Sequence, residues 1–246
     1  MASVLQAVFV DSQKHPTNVW PLGNLTLFND VMNTQDIQHD DNRICYTFVD
    51  GPHGLPYSIL DLSDSISTGL DVTLSGTAPL RDLTFSLYIY TNNDLADITG
   101  TIFHYQLEDR EFIRVRMLAN TFLVSFRDEY GMSAGMMYLT DFLTSHTWSH
   151  VIICREFATG RITIYKDGVE MYNMDDDFSN VISFPRDGKL RLGMSQNTEE
   201  PDVFDGNIAC VQFYDIQASV DMPVGLLEYC KPETWNNHFS CKYTLN

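Results

Sequence analysis

The sequence predicts an all-β fold, an antiparallel two-sheet sandwich. Three observations lead there. Apolar and polar residues alternate with period two through many short runs. Turn dipeptides separate those runs at regular intervals. Helical periodicity is almost absent from the chain.

The elements follow in order. Leu83, Phe85, Leu87 and Ile89 alternate with Thr84, Ser86, Tyr88 and Tyr90, the pattern of a strand with one buried face. Ile113, Val115 and Met117 interleave with Arg114 and Arg116, and Phe122, Val124 and Phe126 repeat the spacing. Ile162 and Ile164 alternate with Arg161, Thr163 and Tyr165. Leu190, Leu192 and Met194 alternate with Lys189 and Arg191. Ala209, Val211 and Phe213 read as one face, against Ile208, Cys210 and Gln212. Asp167-Gly168 is the dipeptide of a tight hairpin between Ile164 and Val169. Ala158-Thr159-Gly160, Asp187-Gly188 and Asp205-Gly206 punctuate the neighbouring runs. The one helical window is 219–229, with Ser219 as its cap and Pro223 and Gly225 against it. No internal repeat and no Gly-, Pro- or Ser-rich linker interrupts the chain, so one domain is expected.

Composition narrows the partners. The 246 residues carry 15 Lys+Arg against 33 Asp+Glu, a formal charge of −18. Duplex DNA, RNA and anionic membranes are excluded, because each phosphate calls for a cation. Cations, basic partners and neutral molecules such as glycans fit. No apolar run is long enough to span a bilayer, so no membrane insertion is expected. Met1 to Val10 lacks a signal-peptide pattern. The chain therefore reads either as cytosolic or as the mature form of a secreted protein. Asn24-Leu25-Thr26 is a glycosylation tripeptide. The five cysteines are Cys45, Cys154, Cys210, Cys230 and Cys241, an odd number without a C-x-x-C pair. They read as buried thiols or as disulfides, depending on the compartment.

Signatures of catalysis fail in turn. There is no G-x-S-x-G, phosphate-binding loop or H-E-x-x-H. His146 and His150 have a spacing of four but no third zinc ligand nearby in sequence.

Five stretches carry a family resemblance. They are Val19-Trp20-Pro21-Leu22, Asp50-Gly51-Pro52-His53-Gly54, the strand from Gly100 to Tyr105, the run from Trp148 to Glu170, and Phe204 to Asp215. In order and spacing they resemble laminin G-like and pentraxin-like jelly-roll domains of the concanavalin A-like superfamily. The resemblance covers roughly Val19 to Cys230. It implies a jelly-roll domain over 1–230 and a C-terminal tail over 231–246. Trp20 and Trp148 are then expected as packing residues, with Trp148 opening a strand.

The same resemblance implies function. Such domains commonly bind glycans or the proteins that bear them, often with calcium at one rim, and most are extracellular. The expectation is a secreted, non-enzymatic recognition module of lectin or cell-adhesion type. Its alternative is a structural or matrix protein with an acidic, cation-binding surface. Some relatives are glycoside hydrolases, which need two carboxylates facing across the sugar. Here Glu108 to Glu111 and Glu199 to Asp202 do not form the alternating acidic pattern that a strand would need. The resemblance matches Asp109 to a calcium carboxylate, with Glu111 as a second candidate, so Ca2+ is the expected cofactor. Against it stands the ordinary reading of acidic runs as solvated surface. Tyr88, Tyr90 and Trp235 are candidate glycan contacts, set against burial of the two tyrosines. The resemblance also implies a disulfide between Cys210 and Cys230, leaving Cys154 as a buried thiol or a partner for Cys241.

Overall fold

The alternating runs become strands. A computed structural model describes residues 15–32, 36–37, 47–61, 70–74, 78–94, 98–176, 182–196, 202–216 and 229–232. The strands are β1 (Asn18–Trp20), β2 (Phe48–Val49), β3 (Ile59–Leu60), β4 (Leu70–Thr73), β5 (Leu83–Thr91), β6 (Thr99–Leu107) and β7 (Arg110–Leu118). They continue as β8 (Thr121–Arg127), β9 (Ser133–Thr140), β10 (Ser149–Arg155), β11 (Arg161–Lys166), β12 (Val169–Asp175), β13 (Lys189–Leu192) and β14 (Gly206–Tyr214).

Twelve of them form two six-stranded sheets. The first runs β1-β14-β5-β10-β11-β12 and the second β4-β13-β6-β7-β8-β9, while β2 and β3 pair apart. Local hairpins come from local chemistry. Asp167 and Gly168 both take positive φ, 50° and 81°, so β11 returns as β12 through two residues. Gly206 enters β14 where a side chain has no room, since a Cβ there would lie 2.3 Å from the Tyr90 carbonyl oxygen.

The inner faces meet in one core. Leu83, Phe85, Leu87 and Ile89 bury from the first sheet, and Ile113, Val115, Phe122 and Val124 from the second. Phe85 bridges the layers, with its ring 4.8 Å from that of Phe103 and 5.2 Å from that of Phe213. Each such side chain contributes roughly 1.5–3 kcal/mol on leaving water. Arg155 is fully buried at the end of β10, and its Nε donates to Asp176 Oδ2 at 2.8 Å.

The outer faces differ. Val19, Val31, Tyr57, Ile59, Ala209, Cys210 and Cys230 form a second apolar cluster, in which β1 and β14 of the first sheet meet the segments that follow β1 and precede β3. Cys210 and Cys230 are joined there, with Cα atoms 5.7 Å apart and 20 residues between them in sequence. Closing such a loop contributes about 3 kcal/mol in the chain-entropy picture. Gln212 Nε2 donates to Cys210 Sγ at 3.0 Å, and the Tyr57 hydroxyl donates to the Cys230 carbonyl.

Three expectations need correction. Ala209 does not share a face with Val211 and Phe213. The pairing of β14 with β5 shifts register between Ala209 and Gln212, and Cys210 sits at φ 50°. This bulge turns Ala209 and Cys210 outwards while Ile208, Val211 and Phe213 stay in the core. Trp148 does not enter the main core either. It precedes β10 and is half-buried against the outer cluster. Met194 lies beyond β13, held by an isolated bridge to Val203. Residues 219–228 of the expected helix lie outside the described residues, as do Cys45, Cys241 and Trp235. Among the described residues no helix is long and apolar enough to cross a membrane.

Candidate functional site

Tyr88 and Tyr90 project from β5 onto the outer face of the first sheet, because Leu87 and Ile89 take the inner one. β10 lies beside them in register, His150 opposite Tyr88. The two rings stack at 4.7 Å with 20° between their planes. His150 Nε2 lies 2.8 Å from Ser86 Oγ, and its backbone N–H donates to Asp167 Oδ1 at 2.9 Å. Burial pushes the imidazole down to about 4, against the opposing charge of Asp167, so it is neutral at pH 7. Burial, and then Asp167, raise the Tyr88 phenol.

Tyr90 meets Trp148 at 5.4 Å, their planes tilted by 47°. The indole Nε1 donates to the Asp50 carbonyl at 3.2 Å. That bond ties the aromatic pair to the 50–58 loop, which lines a shallow cavity of about 390 Å³. Polar groups surround the pair where β5 ends. Asn207 Nδ2 donates to Asn92 Oδ1 at 3.2 Å, Asn93 donates to Asp205, and His146 Nε2 lies 3.7 Å from Asp94 Oδ1. A half-exposed aromatic pair beside amides and carboxylates supplies an apolar ring surface and hydroxyl-matching acceptors together.

The outer face of the second sheet is built from charges. One row crosses all six strands: Asp71, Arg191, His104, Arg114, Ser125 and Met136 stand in register. Arg191 grips Asp71 with two bonds, 2.6 and 2.7 Å. Glu111 takes Arg127 Nε on Oε1 at 2.9 Å, with His104 Nε2 at 3.2 Å and Arg114 at 3.7 Å from Oε2. Asp202 accepts from Arg114 and from Thr101 Oγ1, each at 2.8 Å. His104 Nδ1 accepts from the Gln196 backbone N–H at 3.0 Å, so its proton sits on Nε2, facing Glu111. Burial works to raise the Glu111 carboxyl. The hydrogen bonds from His104 and Arg127 and the neighbouring charge of Arg114 outweigh it and hold the group at about 2.

The structure thus separates the residues that the sequence nominates. Tyr88 and Tyr90 come together with Trp148 and His150 on one outer face, and Glu111 lies on the other. Asp109 is exposed at the turn between β6 and β7. Glu111 already faces three cationic or donor side chains, which a calcium ion shared with Asp109 would have to displace. Among the described residues no three His, Cys, Asp or Glu side chains are grouped to hold a metal. Sequence reasoning passed over His150 and Trp148 as binding-face residues. Their cross-strand positions opposite Tyr88 and near Tyr90 depend on the β5–β10 pairing.

A laminin G domain model, described as concanavalin A-like lectin/glucanases superfamily, matches residues 64–221, well over half of the chain. No curated protein matches the chain in sequence. Among solved structures, the binding domain of botulinum neurotoxin serotype D is similar with a TM-score of 0.66 at 12% identity, over 87% of this chain and 52% of that one. The binding domain of botulinum neurotoxin DC in complex with rat synaptotagmin II gives 0.64 at 12% identity, over 87% and 51%. The same neurotoxin's binding domain in complex with SialylT gives 0.60 at 12% identity, over 81% and 48%. The chain spans about half the length of these structures, and the likeness is one of fold: an antiparallel jelly-roll sandwich.

Proposed function

Because the chain belongs to the laminin G branch of the concanavalin A-like lectin/glucanases superfamily, we propose that it is an extracellular, non-enzymatic recognition module for a glycan or a glycan-bearing protein. The observation that carries this reading is the half-buried pair of Tyr90 and Trp148, flanked by Asn92, Asn93, Asp94 and Asp205. A sugar ring lays its apolar face on such a pair and directs its hydroxyls at the surrounding amides and carboxylates. The structurally similar neurotoxin binding domains lend support of the same kind, since one is seen in complex with rat synaptotagmin II and one with SialylT.

Two further observations support the remaining parts. The bond between Cys210 and Cys230 fits an oxidising compartment. Glu111, Asp202 and Asp71 on the second sheet each engage arginine. Carboxylates committed to guanidinium groups are not free to flank a glycosidic bond, which favours binding over glycoside hydrolysis.

A glycan array with the folded protein, run with calcium and with chelator, tests the proposal. Wild type binds a defined group of glycans, and Tyr90→Ala weakens that binding by about tenfold, the size of a lost aromatic contact. Binding to no glycan and no glycoprotein overturns it in favour of a structural or matrix role. Calcium assistance is read from the same samples: a melting temperature that falls in chelator supports it, and an unchanged one removes it.

A further inference from the structure

Asn24-Leu25-Thr26 is the one glycosylation tripeptide in the 246 residues. The fold sets it in a hydrogen-bonded turn over 24–28, between β1 and β2. The N–H groups of Thr26 and Leu27 both donate to the Gly23 carbonyl, at 3.1 and 2.7 Å, and the Asn24 N–H donates to the Ser58 carbonyl at 2.9 Å. Asn24 is exposed, and Leu25 beside it is 62% exposed. Thr26 is the opposite: it is 2% exposed, and its buried hydroxyl has no hydrogen-bond partner among the described residues. A buried hydroxyl without a partner is costly, and valine has nearly the same shape without that cost. Of three such hydroxyls among the described residues, only that of Thr26 completes the tripeptide. The folded turn makes no use of it.

Chain order gives the hydroxyl a use before folding. The turn is locked by residues that are made later. Gly23 bridges to Ile59 and packs against the Tyr57 ring, and the Tyr57 hydroxyl donates to the Cys230 carbonyl. From Thr26 to Cys230 is 230 − 26 = 204 residues. Synthesis at about 5–20 residues per second leaves the tripeptide unlocked for roughly 10–40 s. The bond between Cys210 and Cys230 then closes the cluster on that side. Such a bond belongs to an oxidising compartment, as does the modification of Asn-x-Thr tripeptides.

We propose that Asn24 is N-glycosylated, and that the sugar is added before the turn closes. The Asn24 amide nitrogen attacks C1 of an oligosaccharide carried on a polyisoprenyl diphosphate. The new N–C bond replaces the C1–O bond, the lipid diphosphate leaves, and the amide gives up one proton to a base of the transferase. The Thr26 hydroxyl bonds the transferase during this step and is buried afterwards. The attached sugar lies beside Leu25 and Leu27, which the turn leaves exposed. The modification rests on the extracellular reading, which brings chain and donor into one compartment, and not on binding by the Tyr90 face.

The test passes the full chain, behind a secretion leader, through insect cells. Peptide mass mapping then follows Asn24 in secreted and cell-retained protein, with and without peptide N-glycosidase. Wild type carries a glycan whose enzymatic removal converts the Asn24 amide to a carboxylate. Asn24→Gln and Thr26→Val carry none, and Thr26→Ser keeps it. Thr26→Val melts no lower than unglycosylated wild type, so its loss of the glycan is not a folding failure. In a second arm, microsomal transferase and a labelled lipid-linked oligosaccharide meet unglycosylated protein, either folded with its disulfide or reduced and unfolded. The unfolded chain is labelled and the folded one is not. Unmodified Asn24 in secreted wild type overturns the proposal and leaves the recognition reading standing. Equal labelling of folded and unfolded protein overturns the order of events. A Thr26→Val protein that melts well below wild type shows the hydroxyl at work in the folded turn and overturns the role given to it. A glycosylated chain that binds nothing on the array keeps the modification and removes the recognition reading.

Discussion

The sandwich has two outer faces, and they are finished in opposite ways. That of the first sheet carries a second apolar cluster and aromatic pairs, pinned by a disulfide. That of the second is an open lattice of arginines and carboxylates. Both inner faces are alike. The difference teaches that one sandwich can keep one side as a second small core and leave the other free for polar chemistry.

The largest effect expected from this contrast is loss of the crosslink. Replacing both Cys210 and Cys230 with Ala should lower unfolding free energy by about 3 kcal/mol in urea titrations. An equal loss from cutting the ion pairs of the second face would erase the distinction.

Acid should reach the two faces in sequence. The unfolded His150 imidazole titrates near 6.5 and the folded one near 4. The unfolded chain therefore takes up the proton first. Stability from the first face is complete above about 6.5 and lost as pH falls towards 4, by as much as ~3 kcal/mol. His150→Gln should flatten the stability profile in that window alone.

Glu111 behaves as a depressed carboxylate. Its contribution is present above about 4.5 and lost as pH falls towards 2. Allowing for screening at a partly exposed site, the loss is about 2 kcal/mol. Glu111→Gln should remove the lower window and leave the upper one, as read by denaturant midpoints at each pH.

The smallest effect is Tyr138→Ala. An exposed ring on the open face should change stability by less than about 0.5 kcal/mol. A thermal shift as large as that of a core substitution would show that this face is covered after all.

Much of this was legible beforehand, for physical reasons that differ by residue. Strands such as Leu83 to Tyr90 are written in period two, and the Asp167-Gly168 hairpin in two residues, because both are local. Ala209 was misread because a bulge breaks the period without marking the sequence. Trp148 was misread because an aromatic under a loop and one under a sheet look alike in sequence. Arg114 and Arg116 could be seen to point outwards. Their carboxylate, Asp202, lies 88 residues beyond Arg114 and reaches it only through the fold.

The crosslink also changes how the domain bears a load. β1 runs antiparallel to β14, with Asn18 opposite Phe213. Tension applied before residue 18 and after residue 214 would meet at one end of that contact and open its bonds one by one. With the disulfide closed, tension arriving beyond Cys230 crosses the sulfurs and enters β14 at Cys210, whose N–H is bonded to the Pro21 carbonyl at the far end of β1. The two pulls then act at opposite ends of the contact and stretch its bonds together, in shear. Single-molecule extension should therefore show a higher rupture force for the β1–β14 contact in oxidised protein than in reduced protein, and equal forces would mean that the load travels elsewhere.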